Sequence, residues 1–219
     1  MIEYTLNRYK RKSIGIYVKD GQVEVRAPLC CPQENIDAFV NLKTPWILER
    51  LAKHELRENF VATLNYGSKI SLLGGEYTIA PIQGLSLEAN HVYIPQNLPP
   101  TGIQPACINA FTHIARGYLP KRVAHFAPIM EVAPRSVTIN SAKSRWGSCS
   151  QCKKLNFSWR LIMGAPRVID YVVVHELAHI YEMNHGPNYW AVVEKFMPDY
   201  QERIVELKAL GSRLNNEGW

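Results

Sequence analysis

The chain has 219 residues, of which 47% are hydrophobic and 20% charged, and its formal net charge is +6 at pH 7. This length and composition predict a globular protein with enough apolar side chains for one large core or two smaller ones. No apolar run approaches the roughly 18 residues of a membrane span, and no signal-peptide core follows the basic N-terminal residues, so we expect a water-soluble cytoplasmic protein without membrane partners.

The first elements are a hairpin and a helix. Apolar residues alternate along segment 14–27 on either side of Asp20 and Gly21, which predicts a β-hairpin with a type I′ turn. Residues 33–58 have the apolar spacing of a helix, which Pro45 is expected to interrupt or kink.

More β-structure is predicted before a proline-rich segment. A second hairpin is predicted around Gly74 and Gly75, and a further strand pair within residues 86–95. Segment 95–105 contains four prolines and breaks both helix and strand patterns. We therefore predict a β-rich N-terminal domain with one helix, residues 1–100, and a second domain, residues 101–219.

The second half groups its strands and helices. A helix is predicted over about 103–127, followed by two strands within residues 136–160 that are joined by a loop around 147–153. Three helices then follow, from about Pro166 to Met183, from Pro187 onward, and from about Asp199 to Leu210 with Gly211 as the stop. Since helices and strands do not alternate, the predicted fold class is α+β.

Positive charge is concentrated just before the last three helices. Nine lysines and arginines lie between Arg116 and Arg160, where Glu131 is the single acidic residue. Residues 161–219 hold five basic and eight acidic side chains. Such a basic block is most often a solvated face, but beside a reactive site it favours anionic substrates.

Histidines and a glutamate interrupt the apolar segment "DYVVVHELAHIY". At about 100° per residue, His175 and His179 share one helix face, and Glu176 lies close to both. Polar groups without partners in such a helix cost about 1–3 kcal/mol each, so this cluster needs a ligand. A divalent metal supplies one, and imidazole ligands favour zinc over iron, manganese or nickel.

His185 is predicted to be the third ligand. Asn184 can end the helix in the left-handed conformation, and Gly186 with Pro187 changes the chain direction, which would return His185 to the ion. Three protein ligands leave one position for water, as in catalytic zinc sites. Glu176 is then predicted to be the general base that takes a proton from this water.

Three motifs, "HELAHIYEMNH", "SRWGSCS" and "LNFSWRL", resemble the YgjP-like metallopeptidase family of zinc-dependent hydrolases. The resemblance extends over most of the chain, and in the helix alone the chain is similar, more distantly, to SprT-like and WLM metalloproteases. It implies a zincin-like second domain with a short antiparallel sheet and an active-site helix. It also implies that His175, His179 and His185 bind zinc and that Glu176 is the general base.

Other side chains are candidates for substrate binding or support. Arg145 and Arg160 could bind a substrate carboxylate or phosphate, or pair with acidic residues of the last helices. Tyr181 and Tyr189 could donate a hydrogen bond to the oxyanion of a tetrahedral intermediate. Asp170 is expected to favour the start of its helix through the dipole, with a contact to a ligand imidazole as the alternative.

Five cysteines, an odd number without a secretory segment, argue against a disulfide framework. Cys149 and Cys152 have the spacing of half a structural zinc site, which Cys30 and Cys31 could complete. We interpret Cys149 and Cys152 instead as two thiols of a loop, because a structural zinc site requires a second well-spaced pair of ligands, which the sequence does not offer.

Three functions remain open from the sequence. The first is a zinc metallopeptidase whose peptide or protein substrate pairs with a strand edge within residues 136–160. The second is a metal-dependent nucleoside triphosphate (UTP) pyrophosphatase, an activity also ascribed within the YgjP-like family, for which the basic block supplies countercharge although a phosphate-binding Gly-Lys loop is absent. The third is a nucleic-acid-associated protease or binding module, with Trp146 and Trp159 stacking on bases.

Overall fold

The structure is a computed structural model that describes residues 2–82 and 89–219. Within these residues the chain forms five α-helices and three three-stranded sheets, which confirms the α+β class. The backbone groups into two compact units, residues 1–62 with 215–218, and residues 63–214 with Trp219. The domain boundary that we predict after residue 100 stays a prediction. No helix in the described residues is long and apolar enough to cross a membrane.

The first unit contains one sheet and one long helix. Its elements are β1 (Thr5–Tyr9), β2 (Gly15–Lys19), β3 (Gln22–Pro28) and α1 (Gln33–Thr63). The strand order is β1-β3-β2, with β1 parallel and β2 antiparallel to β3. Asp20 and Gly21 have positive φ angles of 49° and 72°, so the predicted type I′ hairpin is confirmed.

The core of this unit lies between β3 and α1. Val23, Val25 and Ala27 alternate inward from β3 and pack against Ile36, Val40 and Ile47 of the helix. Pro45 does not interrupt the helix as one expectation had it, because α1 continues through it, and a kink there stays a prediction. Pro45 removes one backbone hydrogen bond, but buried residues on both sides of it hold the helix against the sheet.

The second unit begins with another small sheet. It contains β4 (Lys69–Leu72), β5 (Gly75–Pro81) and β6 (His91–Ile94), with β4 antiparallel and β6 parallel to β5. The predicted hairpin is present, with Leu73 and Gly74 as its turn residues, one position earlier than expected. Of the strand pair predicted within 86–95, residues 86–88 lie outside the described residues and the second part is β6.

The centre of the second unit is a long helix, α2 (Pro100–Ile129). A buried residue recurs every fourth position along it: Ile103, Cys107, Phe111, Ala115, Leu119, Val123 and Ala127. Phe111 lies 5.3 Å from the ring of Trp219 and 5.8 Å from that of Trp159, both of which are buried. This aromatic cluster fixes α2 against the segment that follows the third sheet.

The third sheet contains β7 (Ser136–Asn140), β8 (Gly147–Cys149) and β9 (Lys154–Ser158) in the order β7-β9-β8. Two expectations are corrected here. The predicted loop around 147–153 contains a third strand, β8, which forms an antiparallel pair with β9. The sheet is mixed rather than antiparallel, because β7 runs parallel to β9. This parallel pairing is possible because β8 lies between the two strands in the chain and reverses its direction.

The remaining elements are a 3-10 helix (Trp159–Met163) and the helices α3 (Pro166–Ala178), α4 (Pro187–Phe196) and α5 (Tyr200–Asn216). The predicted starts at Pro166 and Pro187 are confirmed. The helix expected to reach Met183 ends at Ala178 instead. The stop expected at Gly211 is wrong, because buried Leu210 and Leu214 continue one apolar face of α5 past the glycine.

Candidate metal and catalytic site

Helix α3 is covered on most of its surface. It packs against α2, α4, β8 and the 3-10 helix, and nine of its thirteen residues are buried. The run of valines before His175 explains these apolar surroundings, because valine side chains are stable mainly when they are buried in a core. Arg167 is exposed near the start of the helix, whereas His175 and Glu176 lie close to its C-terminal end.

His175, His179 and His185 lie together at this end, with potential ligand atoms all within 4.8 Å of one another. His175 belongs to the last turn of α3, His179 is its C-terminal cap, and His185 lies in the connection to α4. In the part of the chain that the structure describes, this is the one group of three or more His, Cys, Asp or Glu side chains able to share an ion. Cys149 and Cys152 do not belong to it.

A sequence of turns returns His185 to the helix. The amides of Tyr181 and Glu182 donate to the carbonyl of Ala178, and the amide of Gly186 donates to the carbonyl of Asn184. Asn184 is not among the described residues with positive φ, so its expected left-handed conformation is wrong. The reversal is instead spread over the whole segment between α3 and α4.

Two of the three rings have nitrogens at the spacing of ligands on a tetrahedral ion. Zinc with Zn–N distances of about 2.0–2.1 Å separates two of its nitrogen ligands by about 3.3–3.4 Å. The Nε2 atoms of His175 and His185 are 3.3 Å apart. The Nδ1 atom of His179 lies 3.2 Å from the Glu182 carbonyl, an arrangement in which Nδ1–H donates and Nε2 remains free to bind a metal.

Electrostatics favours a metal over a proton in this cluster. Burial, followed by the neighbouring charges of His179 and His185, lowers the pKa of His175 to about 3. Burial also lowers the pKa of His179. Both imidazoles are therefore neutral at pH 7, which is the form that coordinates a divalent cation.

Glu176 is almost fully buried beside the histidines, with 4% of its surface exposed. Burial raises the pKa of its carboxyl group to about 8, and the charge of Arg145 opposes this shift. A bound dication would act in the same direction as Arg145 and favour the carboxylate. The group is thus set to exchange a proton near neutral pH.

Strand β8 passes directly over Glu176. A Cβ atom added to Gly147 would lie 2.5 Å from Oε1 and 2.7 Å from Cγ of Glu176. Glycine at this position therefore lets the strand backbone approach the carboxyl group. Gly147 lies in the "SRWGSCS" motif, but its role was missed from the sequence, because periodicity within a segment does not show which distant side chain it faces.

Aromatic side chains form one wall of the site. Tyr189 is fully buried, its ring lies 4.6 Å from the rings of both His179 and His185, and its hydroxyl donates to the His175 carbonyl over 3.0 Å. Trp190 lies 5.9 Å from His185 and stacks on Tyr200 at 5.3 Å. These rings hold the connection after α3 against the helix.

The two candidate arginines occupy different environments. Arg145 is exposed, and its charge acts on Glu176 at the site. Arg160 is 3% exposed, donates to the Lys143 carbonyl over 3.0 Å, and lies 5.7 Å from the Trp146 ring. Substrate contact by Arg145 stays a prediction, whereas Arg160 supports the loop that carries Arg145.

Two other candidates bond elsewhere. The Tyr181 hydroxyl donates to the carbonyl of Met130, just beyond the end of α2. Asp170 accepts two hydrogen bonds from Arg122 of α2, at 2.7 and 3.0 Å. Asp170 therefore links α3 to α2 through an ion pair, and Tyr181 links the turn after α3 to the residue that follows α2. Asp170 lies past the first turn of α3, so its expected dipole role is wrong, and the ion pair takes the place of a contact to a ligand imidazole.

Two solved structures are similar to part of the chain. One is the metallopeptidase zymogen abylysin of Pyrococcus abyssi, 20% identical, covering 42% of this chain and 92% of its own, with a TM-score of 0.39. The other is the zymogen jannalysin of Methanocaldococcus jannaschii, 20% identical, covering 42% of this chain and 93% of its own, with a TM-score of 0.37. A search of curated proteins found no match.

A family model, described as a YgjP-like metallopeptidase domain, matches residues 12–210. The match includes the histidine cluster, Glu176 and β8, as well as most of the first unit. Because it spans far more than half of the sequence, the chain belongs to the YgjP-like metallopeptidase family.

Proposed function

We propose that this protein is a zinc-dependent metallopeptidase in which His175, His179 and His185 hold the ion and Glu176 is the general base. The triad is the observation that carries the proposal, since its ligand atoms lie within 4.8 Å of one another beside a buried carboxyl group. An all-imidazole ligand set, in which one pair of nitrogens has the spacing expected on a tetrahedral ion, supports zinc among the divalent metals.

When bound, the ion would act as a Lewis acid on the scissile carbonyl and lower the pKa of a water molecule. Glu176 accepts the proton of the attacking water and later donates it to the leaving amine, so its charge is restored after each cycle. Burial raises the pKa of Glu176 to about 8, and the positive charge of a bound ion would lower it, so that both transfers stay close to neutral pH. Gly147 gives the carboxyl group room beneath β8, and Tyr189 fixes the backbone of His175.

We further propose that the substrate is an extended peptide that pairs with β8. This strand lies at one end of the order β7-β9-β8 and packs against α3. A peptide added to its open edge would gain main-chain hydrogen bonds and lie along the helix that carries the histidines. Arg145, exposed next to this edge, would contact the peptide's carbonyl or carboxylate oxygens.

The two alternatives gain no support from the comparisons. A triphosphate site was predicted from the basic block, but Arg160 is buried against a backbone carbonyl and unsuited to direct phosphate contact. Base stacking was predicted at Trp146 and Trp159, and Trp159 is only 2% exposed. The cytoplasmic location stays a prediction from the sequence.

The test is metal content together with cleavage of an unfolded protein substrate. We expect one bound zinc per chain, loss of that zinc in His185→Ala, and retained zinc without cleavage in Glu176→Gln. Incubation with UTP and ATP serves as the second arm. A metal-free parent protein, an active Glu176→Gln variant, or nucleotide hydrolysis without peptide cleavage would overturn the proposal.

A further inference from the structure

Strand β2 of the first unit has an open edge. In the order β1-β3-β2 it is terminal, and none of the described strands pairs with its outer side. Lys19 and Gln22 flank the two-residue turn and form a hydrogen-bonded pair. From there, hydrogen-bonded and non-hydrogen-bonded pairs of residues alternate along the hairpin. It follows that the amide and carbonyl groups of Ile16 and Val18 face away from β3.

This edge borders a concave surface, which we call the β2–α1 groove. One part, of about 240 Å³, is lined by four residues: Ile16, Phe39, Lys43 and Trp46. A second part, of about 420 Å³, shares Ile16 and Trp46 and extends along β2 to Arg26 and Arg50. Trp46 is 39% exposed although large apolar rings are usually buried. The groove therefore combines unpaired backbone with an apolar floor.

The charges around the groove are mostly positive. Its lining includes four cations, which are Lys19, Arg26, Lys43 and Arg50. Glu24 is the one carboxylate in the lining, and it accepts two hydrogen bonds of 2.8 Å from Arg26. Arg26 first, and then Asn7, lower the pKa of Glu24 to about 2, so it is ionised and paired at neutral pH. Asp20, exposed at the turn, lies 3.8 Å from Lys19.

We propose that the β2–α1 groove binds an extended acidic peptide segment of another protein, which adds to β2 as a further strand. The backbone of Ile16 and Val18 supplies main-chain hydrogen bonds, and the floor at Trp46 receives apolar side chains. Because side chains alternate along a strand, acidic residues at the positions between the apolar ones face Lys19, and Lys43 and Arg50 beside Trp46 add positive charge along the groove. This binding site lies in the first unit and shares no residue with the histidine cluster.

Two features favour a peptide over single-stranded nucleic acid. Base stacking needs open aromatic faces, but the guanidinium of Arg26 lies 4.3 Å from the Tyr17 ring centre. An open strand edge is also recognised by another peptide backbone, since it presents donors and acceptors at the spacing of a strand.

The experiment measures fluorescence anisotropy of labelled peptides with the full-length protein. The probe alternates glutamate with isoleucine or valine over the length of β2, and a matched peptide carries lysine in place of glutamate. Two further versions are N-methylated, one at every glutamate and the other at every apolar residue. Strand addition uses alternate amides, so we expect one methylated version to bind at least about tenfold more weakly and the other to bind like the parent peptide.

Charge reversal in the protein provides the second measurement. Arg50→Glu should weaken binding of the acidic peptide at least about fivefold, with unchanged thermal unfolding. Lys12→Glu changes the net charge equally on the loop between β1 and β2, outside the groove lining, and should leave affinity within about twofold.

Four results would overturn the proposal. The first two are absence of binding by the acidic peptide and equal binding of both methylated versions. The third is an equal loss of affinity in Arg50→Glu and Lys12→Glu. The fourth is displacement of the peptide by an oligothymidylate whose own binding is weakened by Arg50→Glu. Sedimentation of the protein without peptide adds a further check. A dimer that Arg50→Glu dissociates would show that a second copy, and not an acidic peptide, covers the edge.

Discussion

The contact between β8 and Glu176 leads to a quantitative prediction for Gly147→Ala. The added Cβ would lie 2.5 Å from Oε1, 2.7 Å from Cγ and 2.8 Å from Cδ of Glu176, whereas ordinary contact begins at 3.4 Å. Gly147 is not among the glycines with positive φ, so alanine is allowed by the backbone and the effect is steric. The carboxyl group must therefore move by about 0.9 Å, or the strand must yield.

Such a displacement has a size that kinetics can detect. A misplacement of about 1 Å in a catalytic group costs about 100-fold in rate, so kcat of Gly147→Ala should fall by about that factor. KM should change by less than about threefold, because the substrate edge of β8 keeps its backbone groups. Overpacking costs about 1–3 kcal/mol, which should appear as a lowered melting temperature.

The assay compares peptide cleavage, zinc content and thermal unfolding in Gly147→Ala and in a matched glycine variant. Gly186 lies next to His185, and a Cβ added there meets no atom within 4 Å, so Gly186→Ala should behave like the parent protein. Unchanged kcat in Gly147→Ala would refute the reasoning about Glu176. Loss of zinc from that variant would show instead that the whole site had been distorted.

Three further outcomes are expected. Tyr189→Phe leaves the His175 carbonyl without the hydroxyl that donates to it over 3.0 Å. Chemical denaturation should therefore show a free energy of unfolding lower by about 1–3 kcal/mol, and a variant as stable as the parent would contradict this. Removal of zinc by a chelator should lower the melting temperature, and zinc should restore it in the parent but not in His185→Ala, as calorimetry would reveal. Asp170→Asn weakens the half-buried pair with Arg122 and should destabilise the protein by about 1–2 kcal/mol while peptide cleavage by the folded fraction is unchanged. Loss of cleavage in folded Asp170→Asn would instead place Asp170 in the catalytic machinery.

Local patterns in the sequence were sufficient to predict several features. The spacing of His175 and His179 predicts that they share a helix face, and the turn signals at Gly186 and Pro187 predict the return of His185; the structure brings all three together. The hairpin at Asp20 follows from its turn chemistry in the same way. These predictions depend on residues a few positions apart, whose relative placement is determined by backbone geometry alone.

Contacts between distant segments could be decided only by the tertiary structure. The contact of Gly147 with Glu176, the parallel pairing of β7 with β9, and the bond from Tyr181 to Met130 each join residues separated by many positions in the chain. Helix α3 ends before the position expected from its sequence, because the turn that follows places His179 at its cap. Side-chain periodicity shows which face of a segment is buried, but the partner on that face depends on the packing of the whole unit.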